Sequence, residues 1–409
     1  MPGPPTLPPE LAVLPHRADH LVVTDFDGEQ VVYDQDRQQA HLLNPTAALV
    51  LGRCDGLTRL ADLVDELATS YRVDPHVVGA DVQAALADFA TRSLVGAGAR
   101  PPSAESRPAG RATGPDHDPG ADPWVWESPE LDALGTRVRM RTDDPVAGRY
   151  LEQVFGSLAA RRPAAAGDVR PVSTFDLVRV AEPEPAVDLR LDGELVTSST
   201  DLDSAVTFLH WRLNQLTIDG ATNRVLLHAS GVRRPDGVAV FPAESNSGKS
   251  TLAAGLVRAG FGYVTDEAVA LDLVNGRVVA FPKPISLDPG SWPLFSGHEP
   301  AIAGAPGAFF RHEWHLDPRS LSASALDAVD AEQFVSLVAF PRYVAGAVTA
   351  TEPMRPAVAL LGLLRNAFNL ATVGAPGVAA LEAVARQATV VSITVGDLDR
   401  AIELIGRLD

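Results

Sequence analysis

Near the start of the chain, apolar and polar residues alternate in short runs, which predicts strands over 20–25, 30–34 and 38–43. Asp27-Gly28, between the first two runs, is a hairpin-turn signal. The apolar period then lengthens to that of a helix. Asn44-Pro45 offers an N-cap followed by proline at the first helical position, and Gly56 is placed to end that helix. Thr58 is placed to cap a second helix, on which Leu60, Leu63, Val64, Leu67 and Tyr71 recur at helical spacing. Asp74-Pro75 starts a third, with Val78, Val82, Leu86 and Phe89 on one face. Three strands followed by three helices predict a small winged-helix-like α+β module over residues 1–96.

The pattern breaks off at residues 97–123. That stretch holds no Val, Ile, Leu, Met, Phe, Tyr, Trp or Cys. It cannot bury enough apolar surface to offset the entropy of ordering, so it reads as a disordered Pro/Gly/Ala linker. Apolar patterning resumes at residue 124 and continues to 409. Residues 124–220 read as a framework of strands and helices without chemical motifs, including a strand over 136–141 and a helix over 202–218 behind Thr200-Asp201. Residues 221–409 read as an α/β core, with amphipathic helices over 357–368 and 378–385 packing on it. A final strand over 390–395 and a helix over 397–407 close the pattern.

Charge and composition narrow the function. The 409 residues include 34 basic and 52 acidic side chains, a net charge of −18. Residues 1–100 alone carry 14 acidic and 7 basic side chains, which argues against a winged helix that grips DNA. Neither nucleic acid nor an anionic membrane surface is an expected partner. Cys54 is the sole cysteine, so no intrachain disulfide and no cysteine-based zinc site can form. The Pro-rich start lacks the features of a signal peptide, and no apolar run has membrane-spanning length. A cytoplasmic location is the expectation. Of the 34 basic residues, only Lys249 and Lys283 are lysine. Lysine is a slim point charge where arginine is a planar fork, so each surviving lysine invites a specific reason.

Lys249 sits in Ala243-Glu-Ser-Asn-Ser-Gly-Lys-Ser-Thr251, between the apolar run Val238–Phe241 and a helical pattern through Leu252, Leu256 and Val257. Strand, small-residue loop, Gly-Lys-Ser and helix form the context of a phosphate loop. The backbone from Glu244 through Ser245, Asn246, Ser247 and Gly248 would cradle phosphates at the helix N-terminus, with Thr251 in its first turn. Lys249 would reach the terminal phosphates and the Ser250 hydroxyl would hold Mg²⁺. Ala243 stands where a glycine is expected, and Asn246 where another is common. Beyond the helix, an apolar strand over 261–264 ends in Thr265-Asp266-Glu267. Adjacent acids there suit metal binding and acceptance of a hydroxyl proton. His228 lies upstream in Leu226-Leu-His-Ala-Ser230, placed to end a strand at the same sheet edge.

Two resemblances follow from these residues. Tyr33-Asp34, Ala40-His-Leu-Leu-Asn-Pro-Thr-Ala47 and the Gly56…Leu63…Leu67 pattern resemble the peptide-chaperone family of pyrroloquinoline quinone biosynthesis. The same fold is called the RiPP recognition element in pathways of ribosomally made, modified peptides. The resemblance implies a leader-peptide groove between the third strand and third helix, with Arg37, Gln39, His41, Leu43, Val78 and Val82 as its candidate residues. The free edge of such a sheet can accept an extended peptide by strand addition.

His228, the loop 244–250 and Asp266-Glu267 resemble, in order and spacing, HPr kinase/phosphorylase. That resemblance implies ATP and Mg²⁺ as cofactors, Asp266 as base toward a hydroxyl, His228 as its neighbour, Lys249 on the phosphates, and Ser250 with Glu267 at the metal. It also implies a homo-oligomer. Phe281-Pro-Lys-Pro-Ile-Ser286 and Phe340-Pro-Arg-Tyr343 resemble the HPr-kinase-related proteins found beside modified-peptide genes, which makes Lys283 and Arg342 candidate phosphate or substrate contacts. Together the resemblances imply a kinase that binds the leader of a ribosomal precursor peptide and phosphorylates a Ser or Thr of it. Two alternatives stand beside it: ATP-driven activation of a peptide carboxylate, and a nucleotide-gated peptide-binding protein without transfer activity.

Overall fold

A computed structural model describes residues 13–96, 124–160, 170–181, 185–244, 247–303 and 309–408. The expected linker, 97–123, and the loop residues Ser245 and Asn246 lie outside the described residues. The chain forms two compact units. The first gathers the N-terminal residues with two later segments, Arg355–Arg365 and Gly374–Ala385; the second holds the remainder.

In the first unit, β1 (Leu21–Phe26) turns into β2 (Glu29–Asp34) through Asp27 and Gly28, both left-handed at φ 52° and 94°. Positive φ at both turn residues matches the twist of the flanking strands, which is why Asp-Gly forms a tight hairpin. β3 (Gln39–Leu43) adds antiparallel to β2, and the order is β1-β2-β3. Among the described residues β3 pairs with β2 alone, so its outer edge is unpaired. Three helices follow: α1 (Pro45–Gly52), α2 (Leu60–Tyr71) and α3 (Pro75–Thr91). The side chains of Asn44 and Asp74 cap α1 and α3 by accepting from Ala47 N and His76 N. Thr58 does not cap α2. The N-cap is Arg59, and the Thr58 hydroxyl instead donates to Asp55 at 2.9 Å. Gly56, φ 77°, lies in the turn beyond α1 instead of at its end. Val32, Leu43, Leu51, Leu63, Val82, Leu86 and Phe89 form the core of this unit.

The second unit opens with β4 (Trp126–Glu127), β5 (Leu131–Ala133) and β6 (Thr136–Thr142), then α4 (Pro145–Phe155). β7 (Val172–Val180), β8 (Ala186–Leu191) and β9 (Glu194–Ser199) complete a six-stranded sheet in the order β4-β6-β7-β8-β9, with β5 on β6. Alternation at β6 holds, with Val138 and Met140 fully buried. α5 (Leu202–Gly220) follows, capped by Asp201 through Ser204 N.

Next come β10 (Arg224–Arg234), β11 (Gly237–Pro242), α6 (Lys249–Arg258), β12 (Gly262–Asp272) and β13 (Val278–Val279). β14 (Ile285–Leu287) pairs β15 (Trp314–Leu316) in a separate ribbon. β16 (Val335–Tyr343) and β17 (Ala350–Pro353) lead to α7 (Pro356–Arg365), α8 (Leu370–Gln387), β18 (Thr389–Val395) and α9 (Leu398–Arg407). A seven-stranded mixed sheet runs β13-β12-β10-β11-β16-β18-β17.

Two expectations change here. β12 does not end at Asp266-Glu267; its pairing with β10 carries on from Ser230↔Asp266 through His228↔Ala268 to Arg224↔Asp272. α7, expected to pack on the α/β core, belongs to the first unit. It lies against β1, β2 and above all β3 of the first unit, burying Leu360 and Leu363, while Arg355 pairs with Glu29. Its apolar stripe carries no mark of which sheet it covers, so sequence periodicity assigned the wrong partner. α8 contains a break at Gly374, φ 56° and ψ −143°.

Phe89 is wholly buried in the first unit's core. Replacing it with alanine is expected to cost about 3–5 kcal/mol, as for other buried Phe→Ala changes. Chemical denaturation of the full chain, followed by a probe in the first unit, measures it.

Candidate functional site

The site is built where β10, β11 and β12 lie side by side. β11 ends at Pro242, the chain passes through the Ser/Gly loop, and α6 begins at Lys249. Gly248 precedes it at φ 88°, and a Cβ there would meet Tyr343 Cβ at 3.4 Å. Both the left-handed backbone and the close approach favour glycine. Tyr343 N donates to Ser247 O at 3.2 Å, tying the loop to the end of β16. Lys249 is buried, its Nζ 3.4 Å from Glu244 O. Burial lowers its proton affinity, against the pull of Asp266 and Glu267.

Asp266 is 2% exposed. One carboxylate oxygen accepts from Ser230 Oγ at 2.7 Å and the other from Ser286 N at 3.0 Å. The cross-strand register Ser230↔Asp266 brings the first of these partners opposite. Neighbouring strand residues ordinarily face opposite sides of a sheet. Glu267, at φ 115°, breaks that alternation, and both acids line one cavity. Such backbone is sparsely populated by non-glycine residues and concentrates at functional sites.

Glu267 is held by Lys283, whose Nζ donates to Oε2, and by Asn214 Nδ2 at 2.9 Å. Burial alone would push the Glu267 carboxyl up. The charge and hydrogen bond of Lys283, with His228 and Lys249, outweigh it and hold the carboxyl below its ordinary value. Lys283 is 1% exposed and also meets His210 Nε2 at 3.1 Å. Burial, then Lys283 and His315, keep His210 far below its ordinary value, so the neutral ring accepts from the ammonium. Lys283 is therefore a buried internal cation, bonded to Glu267 and absent from the cavity lining itself.

His228 lies within β10 instead of at its end. Its backbone N–H donates to Asn366 O at 2.6 Å, and its ring packs 5.2 Å from Phe368. Burial, then Lys249, lower its proton affinity.

These groups line an open cavity of about 340 Å³. Lys249, Ser250, Asp266, Glu267 and His228, all named from the sequence, share it. Thr251 faces Ser291, with 2.6 Å between the hydroxyls. Glu244 is exposed, and Arg342 is exposed at the end of β16, outside the cavity lining. Sequence reasoning missed Thr207, His210, Trp211 and Asn214 of α5, and Ser286, Asp288 and Glu313 around the β14–β15 ribbon. The α5 residues fall at i, i+3, i+4 and i+7, one helix face on which Thr207, His210 and Asn214 are polar and Trp211 is aromatic. The framework region thus contributes directly to the site. Nothing local marks Glu313 or Asp288.

In the first unit, Leu43, Val78 and Val82 belong to the core at 3%, 9% and 1% exposure. Arg37 pairs with Asp34, Gln39 is exposed, and His41 is half-buried. Burial, then Arg92, lower the His41 proton affinity, Arg365 of α7 adding to this.

The two units thus define a three-strand, three-helix module with an open strand edge and an α/β unit with a Gly-Lys-Ser loop facing paired acids. Residues 29–95 match the family model of coenzyme PQQ synthesis protein D (PqqD). Among solved structures, the chain is similar to the Hpr(Ser) kinase/phosphatase from Coxiella burnetii, at 16% identity over 44% of this chain and 90% of that one, with a TM-score of 0.21. No match to a curated protein was found. No helix among the described residues is long and apolar enough to cross a membrane, and no cluster of three or more His, Cys, Asp or Glu among them is arranged for a metal ion.

Lys283→Met would leave Glu267 without its cation. Removing one partner of a buried pair costs about 3–5 kcal/mol. With 43% of the Glu267 side chain accessible, water screens part of that and the loss is expected near or below the lower figure. Glu267 titrates below its ordinary 4.5 in the fold, so the pair stabilises above that pH and its contribution fades as the pH drops through the folded value. The deficit of the variant should accordingly be full at pH 7 and shrink in acid, as read by denaturation at each pH.

Proposed function

We propose that this chain is an Mg-ATP-dependent kinase that recognises the leader of a ribosomally made precursor peptide and phosphorylates a Ser or Thr hydroxyl of it. The observation that carries the reading is the meeting, in one cavity, of Lys249 and Ser250 at the start of α6 with the buried Asp266. The residues present fit a nucleotide. Ser247 Oγ is buried without a hydrogen-bond partner in the loop, a donor that suits a phosphate oxygen. The N-terminus of α6 and the Lys249 ammonium add positive potential at the same place.

Lys249 binds the terminal phosphates and Ser250 holds Mg²⁺ with the nucleotide. The ion neutralises phosphate charge when bound. Asp266, fixed by Ser230 and Ser286, keeps one orientation toward the acceptor and takes its hydroxyl proton. His228 remains neutral beside it. Glu267 is taken up by Lys283 and Asn214, so in this reading it shapes the floor of the site through that pair, with the metal left to Ser250. The leader adds as a strand to the open edge of β3, where Gln39 and His41 are reachable. A leader held there raises the effective concentration of the acceptor end. Because α7 packs on β1–β3, leader binding belongs to experiments on the full chain; removing residues 1–96 would bare the apolar face of α7.

Lys249→Ala should lose the thermal stabilisation that Mg-ATP gives the wild type. Equal stabilisation of both would overturn the nucleotide assignment. Asp266→Asn should retain Mg-ATP binding and lower turnover by about 10²-fold or more, the scale of losing a general base. Phosphate release and phosphopeptide mass are the readouts. His228→Ala should cost less than Asp266→Asn.

A further inference from the structure

The sheet order β12-β10-β11-β16 sets the Gly-Lys-Ser loop, which leaves the end of β11, between two flanks. On one flank β12 carries Asp266 and Glu267 to the cavity. On the other, β16 runs parallel to β11, with Val238 opposite Val335 and Val240 opposite Val338. In that register β16 continues past Pro242, where β11 stops, and ends beside the loop at Arg342 and Tyr343. Parallel strands present their carboxyl ends at one edge of the sheet, the edge at which such sheets bind ligands. Tyr343 N donates to Ser247 O at 3.2 Å, and Tyr343 Cβ stands 3.4 Å from where a Cβ on Gly248 would be. The side chain therefore leaves the strand against the loop, and it is 58% exposed. Among the described residues its ring has no aromatic or cationic partner and its hydroxyl no hydrogen bond. No residue of β16 is among those that line the cavity of Lys249, Ser250 and Asp266.

On the nucleotide reading above, on which this rests, we propose that Tyr343 is the stacking face for the base of the bound nucleotide. A polyphosphate has a direction across the loop. Its terminal phosphoryl group faces Asp266, so the α-phosphate and the nucleoside leave on the opposite flank. That flank is the end of β16, where Tyr343 stands. Trp211, an exposed aromatic of the cavity lining, belongs to the acid flank: Asn214, one turn along the same face of α5, donates to Glu267 at 2.9 Å. The face of a base and the ring of a tyrosine attract each other in an offset stack. Such a contact reads the face of the base and not its hydrogen-bonding edge, because every base has a π-face. Tyr343 thus selects for a nucleotide over a bare polyphosphate and discriminates little between adenine and guanine.

The test is calorimetric titration of the full chain with Mg-ADP and, separately, with Mg-tripolyphosphate, which has phosphates and no base. Tyr343→Ala keeps the backbone N–H on Ser247 and the Cβ beside Gly248, and removes only the ring. It should bind Mg-ADP about five- to a hundredfold more weakly, the range for losing one base–aromatic stack. Its affinity for Mg-tripolyphosphate should equal that of the wild type. Tyr343→Phe, which keeps the ring, should bind both ligands as the wild type does. Three results overturn the inference and leave the nucleotide reading standing: unchanged Mg-ADP affinity in Tyr343→Ala, an equal loss for both ligands, or a loss in Tyr343→Phe as large as in Tyr343→Ala. A loss of Mg-ADP affinity in Trp211→Ala with none in Tyr343→Ala would put the base over α5, with the same consequence. A wild-type chain that binds no Mg-ADP overturns both.

Discussion

The antiparallel pairing of β10 with β11 on one side and β12 on the other is the constraint on which the site depends. It places the Gly-Lys-Ser loop, which leaves the end of β11, beside the two acids that β12 carries. It also sets Ser230 opposite Asp266, so that the strand supplying the neighbour also supplies the hydrogen bond that orients the acid. A slip of one residue would turn Ser230 to the other face and leave a buried carboxylate without that donor. The positive φ of Glu267 is the local distortion that lets adjacent residues of one strand serve one cavity.

Charge balance is the second theme. The cavity is lined by four carboxyls and one lysine, and a second lysine is buried against one of those carboxyls. Lys283 sits out of reach of solvent, between Glu267 and His210, and neutralises from behind. Lys249 opens into the cavity itself. These are the two lysines of a chain whose other 32 basic residues are arginine. Both are buried, Lys249 at 7% and Lys283 at 1% exposure.

The sequence was most legible where a single local rule decides the outcome. Asp27-Gly28 made a hairpin because both residues tolerate positive φ, and Asn44 and Asp74 capped helices because their side chains reach the first free N–H groups. The Gly-Lys-Ser loop and the following acids came together because strand, loop and helix are adjacent in the chain. Legibility failed where a residue's role depends on what packs against it. The resemblance made Leu43, Val78 and Val82 candidate groove residues, yet all three are buried in the core. α7 shows a helical stripe, but nothing within it says that β3 is its partner. Glu313 and Asp288 come from a distant loop and ribbon, and only tertiary structure brings them to the cavity.

The central claim is that a nucleotide's phosphates sit at the start of α6, facing Asp266. A crystal structure of the full chain with Mg²⁺ and a non-hydrolysable ATP analogue tests it most directly. The account places the terminal phosphates on Lys249 and the α6 N-terminus, the ion against Ser250, and the outermost phosphate toward Asp266. A nucleotide bound elsewhere, or one seated in the cavity with its phosphates turned away from Lys249, would contradict it.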